Sequence, residues 1–410
     1  MSILKSIENL FRPIVLPIYH KLRSTGHEDQ KDIFFKEMKE VLYSKKFDAV
    51  VIFDTYFGFN VKMFQRPQHI ALNMANENIL YLYKASPYIE KEITVSKKIK
   101  DNLYLVNTDL YWLQEGLLDM IKESGIPCYG QIYSTCFSEY DKYMKKFTDR
   151  GFKLIYEYVD DLSDEIAGFK ISDAVKASHE RMLKNTDEVY VVTTATKLYE
   201  EVVKIRGDKR VALVTNGVQF EHFSDIKCDK IPEEIKDIVN SNKKVIGYFG
   251  ALAKWFDYEL IKKMSKELPD HEIILIGIDY DKSLDKSGIL QLSNVHYLGT
   301  RNYTELPTYA KFFDVATIPF VINDITEATS PVKLFEYMAL GKPIVTTDLP
   351  ECGKYKSPLV SKTHEEFIEN IRKADNLRDN SEYLELLKKE GLDNTWGQKA
   401  RDIKELILNS

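Results

Sequence analysis

The amino-acid sequence predicts an α/β protein made of two Rossmann-like, doubly wound domains that face each other across a cleft. The chain has 410 residues, which is long for a single hydrophobic core. Short apolar runs typical of buried strands alternate with helical stretches in two series. Residues 224–242 separate the two series; they are rich in Lys, Asp, Glu and Asn and predict a linker with a short helix. This alternation indicates parallel sheets covered by helices.

The same alternation sets the expected domain limits. We expect a helical amino-terminal extension over 1–45, a first Rossmann-like domain over 46–223, a second over 243–392 and a closing helix over 393–410. The predicted strands of the first domain are 47–53, 79–83, 102–106, 153–158, 187–193 and 211–214, with a helix at 65–77. The predicted strands of the second series are 244–249, 272–277, 294–297, 314–318 and 343–347. The predicted helices from there onward are 257–267, 305–312, 331–340, 364–376, 380–390 and 394–408.

The first 23 residues stand apart from both series. Ile3, Ile7, Leu10 and Ile14 share one face of a helix that Pro17 interrupts. One hypothesis is peripheral contact with the inner face of a membrane. The other is a helix packed on the protein itself or on a second subunit of a homo-oligomer. The sequence leaves both hypotheses open.

The composition is that of an ordinary globular protein, with 44% hydrophobic and 29% charged residues. A net charge of -6 argues against a nucleic-acid-binding protein. The four cysteines have neither metal-ligand spacing nor a disulfide framework, which favours a reducing cytoplasm. There is no apolar run of ~18 residues and no convincing signal peptide, so we expect a cytoplasmic protein.

The most informative segment is 326–348, which contains the start and the end of a short helix. Ser330 is a good N-cap, and Pro331 suits the first helical position because its missing N–H costs nothing there. Gly341 ends the helix. Lys333 and Glu336 lie three residues apart on one helix face.

This helix start has the chemistry of an anion site. Free backbone N–H groups and the positive end of the helix dipole attract phosphate oxygens, and Lys333 adds a full charge. Glu336, one turn deeper, could accept hydrogen bonds from ribose hydroxyls. A nucleoside diphosphate fits this arrangement. The alternative is a surface helix with one ion pair.

Residues 330–345, Ser-Pro-Val-Lys-Leu-Phe-Glu-Tyr-Met-Ala-Leu-Gly-Lys-Pro-Ile-Val, resemble the donor-binding helix of family 4 glycosyltransferases with the two-domain GT-B fold. The resemblance is closest to a branch with teichuronic-acid and S-layer glycan enzymes. It covers roughly 47–408 and is strongest at 326–348, 247–257 and 64–69. It implies that 46–223 is the acceptor domain and 243–392 the nucleotide-sugar donor domain. It also implies that the closing helix, around Trp396, returns to support the first domain.

The resemblance implies a phosphate-binding loop after the strand 244–249, where Gly250 lets a phosphate approach the backbone. The family usually carries an Arg and a Lys in this loop, but Ala251 and Phe256 occupy those positions here. Lys254 and Lys333 are the available substitutes. We favour Lys333 because its position at a helix start aims it at the anion site.

Other donor-side roles also follow from the resemblance. Glu336 would bind ribose, and Ser330, Pro331 and Val332 would line the diphosphate site. Where the family has a second glutamate this chain has Ala328, so the neighbouring Glu327 is the candidate for the donor sugar. Main-chain atoms at Thr300 and Arg301 would meet the base; an ordinary strand-to-helix loop is the alternative there.

On the acceptor side, Arg66 and His69 lie in a segment that resembles the same branch. Asp160 and Asp161 follow a predicted strand and place two carboxylates where α/β proteins bind ligands. Either could orient an acceptor hydroxyl, whereas the alternative is helix capping or a solvated loop. The triplet Asp279–Tyr280–Asp281 matches a metal-binding Asp-x-Asp pattern, but we interpret it as a loop.

Together these features predict a glycosyltransferase that moves a sugar from a nucleotide-diphosphate donor to a glycan or lipid-linked acceptor in cell-surface polysaccharide synthesis. The resemblance implies retention at the anomeric carbon, with Lys333, Asp160 and Asp161 as catalytic candidates. No metal and no cofactor other than the donor substrate are expected. Two alternatives remain: a GT-B nucleotide-sugar epimerase, and a non-catalytic scaffold that binds nucleotide sugars.

Overall fold

The computed structural model describes residues 25–55, 57–61, 64–134, 140–164, 170–226 and 230–409. The chain divides into two compact units. The first takes in Ile70–Glu157, Ser172–Val191 and the described part of Met1–Val61. The second takes in the described parts of Lys62–His69, Tyr158–Ile171 and Val192–Ser410. The predicted limits at 45, 223 and 392 stay predictions.

The first sheet has eight strands in the order β3-β4-β2-β1-β5-β6-β7-β8. Its strands are β1 Ala49–Phe53, β2 Ile79–Lys84, β3 Ser96–Lys100, β4 Leu103–Val106, β5 Cys128–Tyr133, β6 Lys153–Tyr158, β7 Val189–Thr193 and β8 Val211–Leu213. The pairs β1–β2, β1–β5, β2–β4 and β5–β6 are parallel, and β3 pairs antiparallel with β4. The strand order therefore reverses between β1 and β5.

The second sheet has six strands in the order β11-β10-β9-β12-β13-β14, and every pair is parallel. Its strands are β9 Lys244–Phe249, β10 His271–Ile276, β11 Val295–Tyr297, β12 Val315–Ile318, β13 Ile344–Thr347 and β14 Leu359–Ser361. This order is that of a dinucleotide-binding sheet, whose ligands bind beyond the carboxyl ends of the strands where the order reverses. In this sheet that point lies between β9 and β12.

The helices alternate with the strands, as the sequence predicts. In the first half they are Lys31–Tyr43, Arg66–Asn76, Tyr111–Glu123, Tyr140–Thr148, Asp173–Lys184, Thr196–Arg206, Phe220–Ser224 and Lys236–Val239. In the second half they are Tyr258–Glu267, Ser283–Ser287, Leu306–Ala310, Asp324–Glu327, Val332–Ala339, His364–Ala374, Ser381–Asp393 and Trp396–Asn409. The predicted α/β fold of two doubly wound sheets is confirmed.

The sequence prediction missed β5, which lies in the middle of the first sheet. The cause is Gln131, whose amide interrupts the apolar run. Its Oε1 accepts a hydrogen bond from the Tyr81 hydroxyl at 2.7 Å, and its Nε2 donates to the Glu157 carboxylate at 2.7 Å. All three side chains are buried, so the polar atoms satisfy one another inside the sheet.

Part of the amino-terminal extension is a described helix, Lys31–Tyr43, that packs on Tyr111–Glu123 within the first unit. The rings of Phe34 and Phe35 meet Trp112 edge-on at 6.2 and 5.8 Å. The segment 1–23, for which a membrane or subunit contact is predicted, lies outside the described residues. No helix in the described ranges is long and apolar enough to cross a membrane.

Candidate functional site

The helix Val332–Ala339, hereafter the Lys333 helix, lies in the connection from β12 to β13, and β12 is one of the two strands between which the second sheet reverses its order. Its residues Leu334–Ala339 are buried, so the alternative of a surface helix is wrong. Pro331 takes the N-cap position with a ψ of 113°, and the helix begins at Val332. Ser330 is therefore not the N-cap, which corrects the sequence prediction by one residue.

Ser330 instead ties the start of the helix to the segment 215–216. Its hydroxyl accepts the backbone N–H of Asn216 at 3.1 Å, and its carbonyl accepts the Asn216 amide at 2.7 Å. The guanidinium of Arg66 donates to the Thr215 carbonyl at 3.1 Å and to the Asn216 side chain at 3.4 Å. Arg66 is thus buried and stabilises this segment through hydrogen bonds, and its acceptor-side role stays a prediction.

Gly250 lies directly after β9 and adopts a φ of +143°, which side chains rarely tolerate. A Cβ at Gly250 would lie 2.7 Å from Cε and 3.1 Å from Nζ of Lys333. Gly277, after β10, is equally confined, since a Cβ there would lie 1.7 Å from the Gly250 carbonyl oxygen. The two glycines allow the loop to approach Lys333 closely. The structure therefore brings together Lys333 and Gly250, which the sequence analysis places in the same site.

The ammonium group of Lys333 lies over aromatic rings rather than beside a carboxylate. Its Nζ is 5.5 Å from the ring centre of Tyr248 and 5.0 Å from that of Phe320. Burial lowers the pKa of Lys333, against the opposing effect of Glu336. No hydrogen bond or ion pair joins Nζ to any group in the described part of the chain.

Glu336 is the carboxylate of the pair, and its side chain is only 6% exposed. Burial raises the pKa of Glu336, whereas the charge of Lys333 acts to lower it. No hydrogen bond from a described residue reaches this carboxylate. The hydroxyl of Tyr303 is also buried and has no hydrogen-bond partner among the residues that the structure describes; burial and the nearby Glu336 charge raise the pKa of this phenol.

Tyr303 belongs to an aromatic cluster that includes one predicted site residue, His69. The Tyr303 ring stacks on His222 at 4.6 Å and 21°, and His69 stacks on Trp396 at 4.9 Å and 7°. Burial, together with the charge of His222, lowers the pKa of His69 to about 3, so its imidazole is neutral. These contacts are those of a packing residue, and an acceptor-side role for His69 stays a prediction.

Asp160 and Asp161 follow β6, as predicted, and both are half-buried. Burial raises the pKa of Asp160 to about 7, while Arg66 acts to lower it and Asp161 to raise it. The structure therefore brings Arg66 near Asp160. A carboxyl group poised near neutrality suits proton exchange with an acceptor hydroxyl.

The remaining predicted donor contacts have partners of their own. Glu327 is 3.2 Å from Nζ of Lys197 and belongs to the short helix Asp324–Glu327. Arg301 donates to Glu234 at 2.8 Å and to the carbonyl of Thr300 at 3.2 Å. Contact of these three residues with a donor stays a prediction.

Lys254, the other proposed substitute cation, is exposed. Its backbone N–H donates to Asp281 at 3.1 Å. The carboxylate of Asp281 also accepts the N–H of Ser283 at 3.0 Å, so the Asp279–Asp281 triplet is a loop, as interpreted from the sequence. In the described residues no three His, Cys, Asp or Glu side chains group as metal ligands.

The positions of the two missing family cations also have a structural role. Phe256 is fully buried, with its ring 4.8 Å from Tyr248. The carbonyl of Ala251 accepts a hydrogen bond from the Tyr248 hydroxyl at 2.7 Å. Tyr248 is one of the two rings under Lys333. Sequence reasoning identified Lys333 but missed Tyr248, Phe320 and Tyr303, because only the folded chain brings these rings to the helix.

A second group of buried charges lies in the first unit and was not predicted. We call it the Asp54 cluster: Asp54 after β1, Lys84 at the end of β2, Asp109 after β4 and Lys146. Lys84 is 3.2 Å from Asp54 and 3.1 Å from Asp109, and Lys146 is 2.6 Å from Asp54. Burial acts to raise the pKa of Asp54, but Lys146 and Lys84 hold it below its ordinary value.

Comparison with known proteins supports the fold. The chain matches the family described as glycosyl transferases group 1 over residues 243–374, a segment that contains Gly250, Lys333 and Glu336. It is 29% identical over 189 residues to TuaH of Bacillus subtilis (strain 168), which is named as a teichuronic acid biosynthesis glycosyltransferase. That match takes in 45% of this chain and 46% of TuaH, so the chain aligns with about half the length of this relative.

Two solved structures resemble the whole fold. WaaG, a glycosyltransferase involved in lipopolysaccharide biosynthesis, has a TM-score of 0.58 and 15% identity, covering 88% of this chain and 99% of that one. Anabaena HepE in complex with UDP-glucose has a TM-score of 0.58 and 16% identity, covering 87% of this chain and 98% of that one. At such identities the likeness concerns the fold alone. The chain thus has the fold of the GT-B glycosyltransferases, and its residues 243–374 match the glycosyl transferases group 1 family.

Proposed function

We propose that the protein is a glycosyltransferase that moves a sugar from a nucleoside-diphosphate donor to a glycan or lipid-linked saccharide, in the synthesis of a cell-surface polysaccharide. The observation that carries this proposal is the pair Lys333 and Glu336 beside Gly250: Glu336 is buried, Lys333 is half-buried, and neither forms a hydrogen bond or an ion pair within the described part of the chain. Unpaired charges in a protein interior are costly and are usually retained for a ligand. The match to glycosyl transferases group 1 over this segment supports the same conclusion.

The diphosphate of the donor would bind at the start of the Lys333 helix. The N–H of Leu334 donates to the Pro331 carbonyl at 3.1 Å, whereas the N–H groups of Val332 and Lys333 have no acceptor in the described part of the chain and would bind an incoming anion. Lys333 adds a full positive charge, and a bound phosphate would replace the partner that this lysine lacks. Glu336 and Tyr303 would then meet the ribose, since a carboxylate accepts from hydroxyls while a phenol donates to them.

The transfer itself would proceed with retention and without a metal ion. As the bond between the anomeric carbon and the phosphate oxygen breaks, negative charge grows on the leaving diphosphate, and Lys333 with the helix amides would stabilise it. The acceptor oxygen would form its new bond on the same face of the sugar. The leaving phosphate would take the proton from that hydroxyl, and Asp160 would orient the hydroxyl through a hydrogen bond.

The donor is tested first by binding. Calorimetric titration of the full chain with UDP-, dTDP- and GDP-sugars should identify one base with a clearly lower Kd. Binding should persist in EDTA, because the ammonium group of Lys333 takes the place of a divalent metal ion. A donor that binds only with added divalent metal would overturn the metal-free part of the proposal.

The reaction is tested by release of the nucleoside diphosphate. Release that requires an added glycan or lipid-linked acceptor supports transfer, and the anomeric configuration of the product by NMR tests retention. Release or sugar isomerisation without any acceptor would favour the epimerase alternative. Binding of the donor with no turnover on any acceptor would favour the non-catalytic scaffold.

A further inference from the structure

The second unit contains a cavity at the opposite end of its sheet from Gly250. It has a volume of about 310 Å³, which is at the lower end of the range for small-molecule sites. Its lining includes Lys244 at the start of β9 and Asp314 directly before β12, whereas Gly250 follows the carboxyl end of β9. The six residues of β9 separate the two places by roughly 20 Å.

The charged residues that line this cavity are mostly cations: Lys243, Lys244, Lys311, Lys342 and Arg378, against the single carboxylate of Asp314. We call this the basic cavity. Its lining comes from the amino ends of two strands, the turn after the Lys333 helix and the residue Arg378 beyond His364–Ala374. These elements are distant in sequence, so the concentration of positive charge arises from the fold and not from one lysine-rich stretch.

Three of the five cations are already neutralised. Lys243 is 2.8 Å from Glu272, Lys244 is 2.8 Å from Asp375, and Arg378 forms an ion pair with Asp314. Asp314 also accepts the backbone N–H of Val245 at 2.7 Å, which fixes the position of this carboxylate. The wall of the cavity is therefore an ordered network and not a set of loose surface lysines.

Lys342 differs from these three cations. Its Nζ donates to the carbonyl of Lys311 at 2.6 Å, and it forms no ion pair with a carboxylate in the described part of the chain. Burial lowers the pKa of Lys342 to about 8; Arg378 and Lys311 also lower it, and Asp314 alone opposes them. An ammonium group has three donors, so at least one is available to a ligand in the cavity.

The simplest alternative is that Lys342 only satisfies the carboxyl end of the preceding helix, where lysines are common. Its hydrogen bond goes to the carbonyl of Lys311, which is the C-cap of the helix Leu306–Ala310, so Lys342 satisfies the end of that helix and not the end of the helix that precedes it. That role does not account for Lys311 and Arg378, which still repel Lys342 although Arg378 is paired with Asp314. A bound anion would relieve this repulsion.

We propose that the basic cavity binds a phosphate group, with Lys342 as its central donor and Arg378 and Lys243 at its rim. The ligand is either a soluble phosphate compound or the headgroup of an anionic phospholipid. This inference is independent of the proposed transfer reaction, because the cavity shares neither Lys333 nor Glu336.

The test compares phosphate and lipid binding in the full-length protein and in Lys342→Gln, with Lys262→Gln as the matched control. Lys262 is a partly exposed lysine that pairs with Glu259 within the helix Tyr258–Glu267, outside the cavity. Inorganic phosphate is titrated by calorimetry in a Lys333→Ala background, so that the nucleotide site does not contribute. Loss of a charge-assisted hydrogen bond in Lys342→Gln should weaken phosphate binding roughly tenfold.

The second arm is co-sedimentation with phosphatidylglycerol or phosphatidylcholine vesicles. All variants share the segment 1–23, so a difference between them reports on the cavity. Phosphate binding that Lys342→Gln loses identifies a soluble ligand; loss of phosphatidylglycerol binding alone identifies a lipid headgroup. Thermal melting checks that Lys342→Gln folds, and Lys243→Gln replaces it if it does not. No binding in either arm, or equal binding by Lys342→Gln and Lys262→Gln, overturns the proposal.

Discussion

The Asp54 cluster and the Lys333 helix both place charged side chains at the carboxyl end of a parallel sheet, but they differ in whether those charges have partners. In the first unit, Lys84 bridges Asp54 and Asp109, and Lys146 closes on the other oxygen of Asp54. Every one of these charges has a partner within 3.2 Å. In the second unit, Lys333 and Glu336 influence each other's pKa but share no hydrogen bond or ion pair.

This comparison distinguishes charges that stabilise the fold from charges that lack a protein partner and are available to a ligand. A complete buried network is lost at high cost once one member is removed, because the others are left uncompensated. An incomplete network of buried charges already carries the free-energy cost of uncompensated charge in the unliganded protein. We therefore expect substitutions in the Asp54 cluster to change stability and substitutions at Lys333 and Glu336 to change binding and turnover.

The largest expected effect is that of Asp54→Asn on folding. The substitution leaves Lys84 and Lys146 without the carboxylate between them, and it should cost about 3–5 kcal/mol in urea unfolding at pH 7. The folded-state pKa of Asp54 is lowered, so its contribution to stability is present above its ordinary pKa of 3.8 and is lost as the pH falls below that value. The difference between the two proteins should accordingly shrink on acidification.

Glu180→Ala is the control for this prediction, because Glu180 forms an exposed pair with Lys184 on one helix. Its unfolding midpoint should be unchanged, since exposed pairs contribute little. If Asp54→Asn unfolds at the same urea concentration as Glu180→Ala, the Asp54 cluster does not stabilise the fold and the comparison fails.

The next largest effect is that of Lys333→Ala on turnover. Removing the charge that faces the leaving diphosphate should lower kcat/KM by roughly 10²–10³-fold, as for other groups that stabilise a developing anion. Stability should be unchanged or slightly higher, because a desolvated amine is removed. Lys254→Ala is the control, as an exposed lysine in the neighbouring loop. A loss in Lys254→Ala alone would assign the phosphate to Lys254, and equal losses in both variants would contradict the prediction that Lys333 is the main phosphate ligand.

Glu336→Gln should have a smaller effect, confined to recognition of the ribose. A carboxylate accepts hydrogen bonds from both ribose hydroxyls more strongly than an amide does, so donor affinity should fall roughly tenfold. The variant should discriminate less between a ribose donor and its 2′-deoxy analogue than the unmodified protein does. Calorimetry with the two donors measures this directly. Unchanged discrimination would place the ribose away from Glu336.

The sequence was sufficient to predict what depends on local pattern. The strands β9, β10 and β12 and the helix that carries Lys333 follow from apolar periodicity and from the glycine that ends the helix, Gly341, whose φ is +65°. The prediction was wrong where a buried polar residue broke the pattern, as Gln131 does in β5. It also misplaced the N-cap, because Ser330 bonds to Asn216, a residue distant in sequence.

The environment of the site could not be predicted in the same way. That Lys333 lies over aromatic rings and not beside Glu336 depends on Tyr248, in β9, and Phe320, two residues beyond β12, reaching the same helix. The proximity of Arg66 to Asp160 likewise depends on the tertiary fold. Residue types identified the candidate groups, whereas burial and partners, which decide their charge state, required the structure.

The smallest expected effect is that of Asp160→Asn on stability. It allows a comparison of Asp160 with Asp54, whose pKa is shifted in the opposite direction. The folded-state pKa of Asp160 is raised from 3.8 to about 7, so its contribution to stability is present below pH 3.8 and is lost as the pH rises through 7. Asparagine cannot ionise, so the variant should be as stable as the unmodified protein near pH 4 and more stable at pH 8. The difference should be about 1–2 kcal/mol, below the ~4 kcal/mol that the full pKa shift from 3.8 to about 7 would give, because solvent screens this half-buried side chain. Urea unfolding at pH 4.5, 6 and 8 measures how the stability difference changes with pH, and the sign of this change is opposite to the one expected for Asp54.

Asp161→Asn should reduce this pH dependence, since the charge of Asp161 raises the pKa of Asp160. A difference between Asp160→Asn and the unmodified protein that stays constant with pH would mean that Asp160 is ionised throughout, and its proposed role in orienting an acceptor hydroxyl would then rest on position alone.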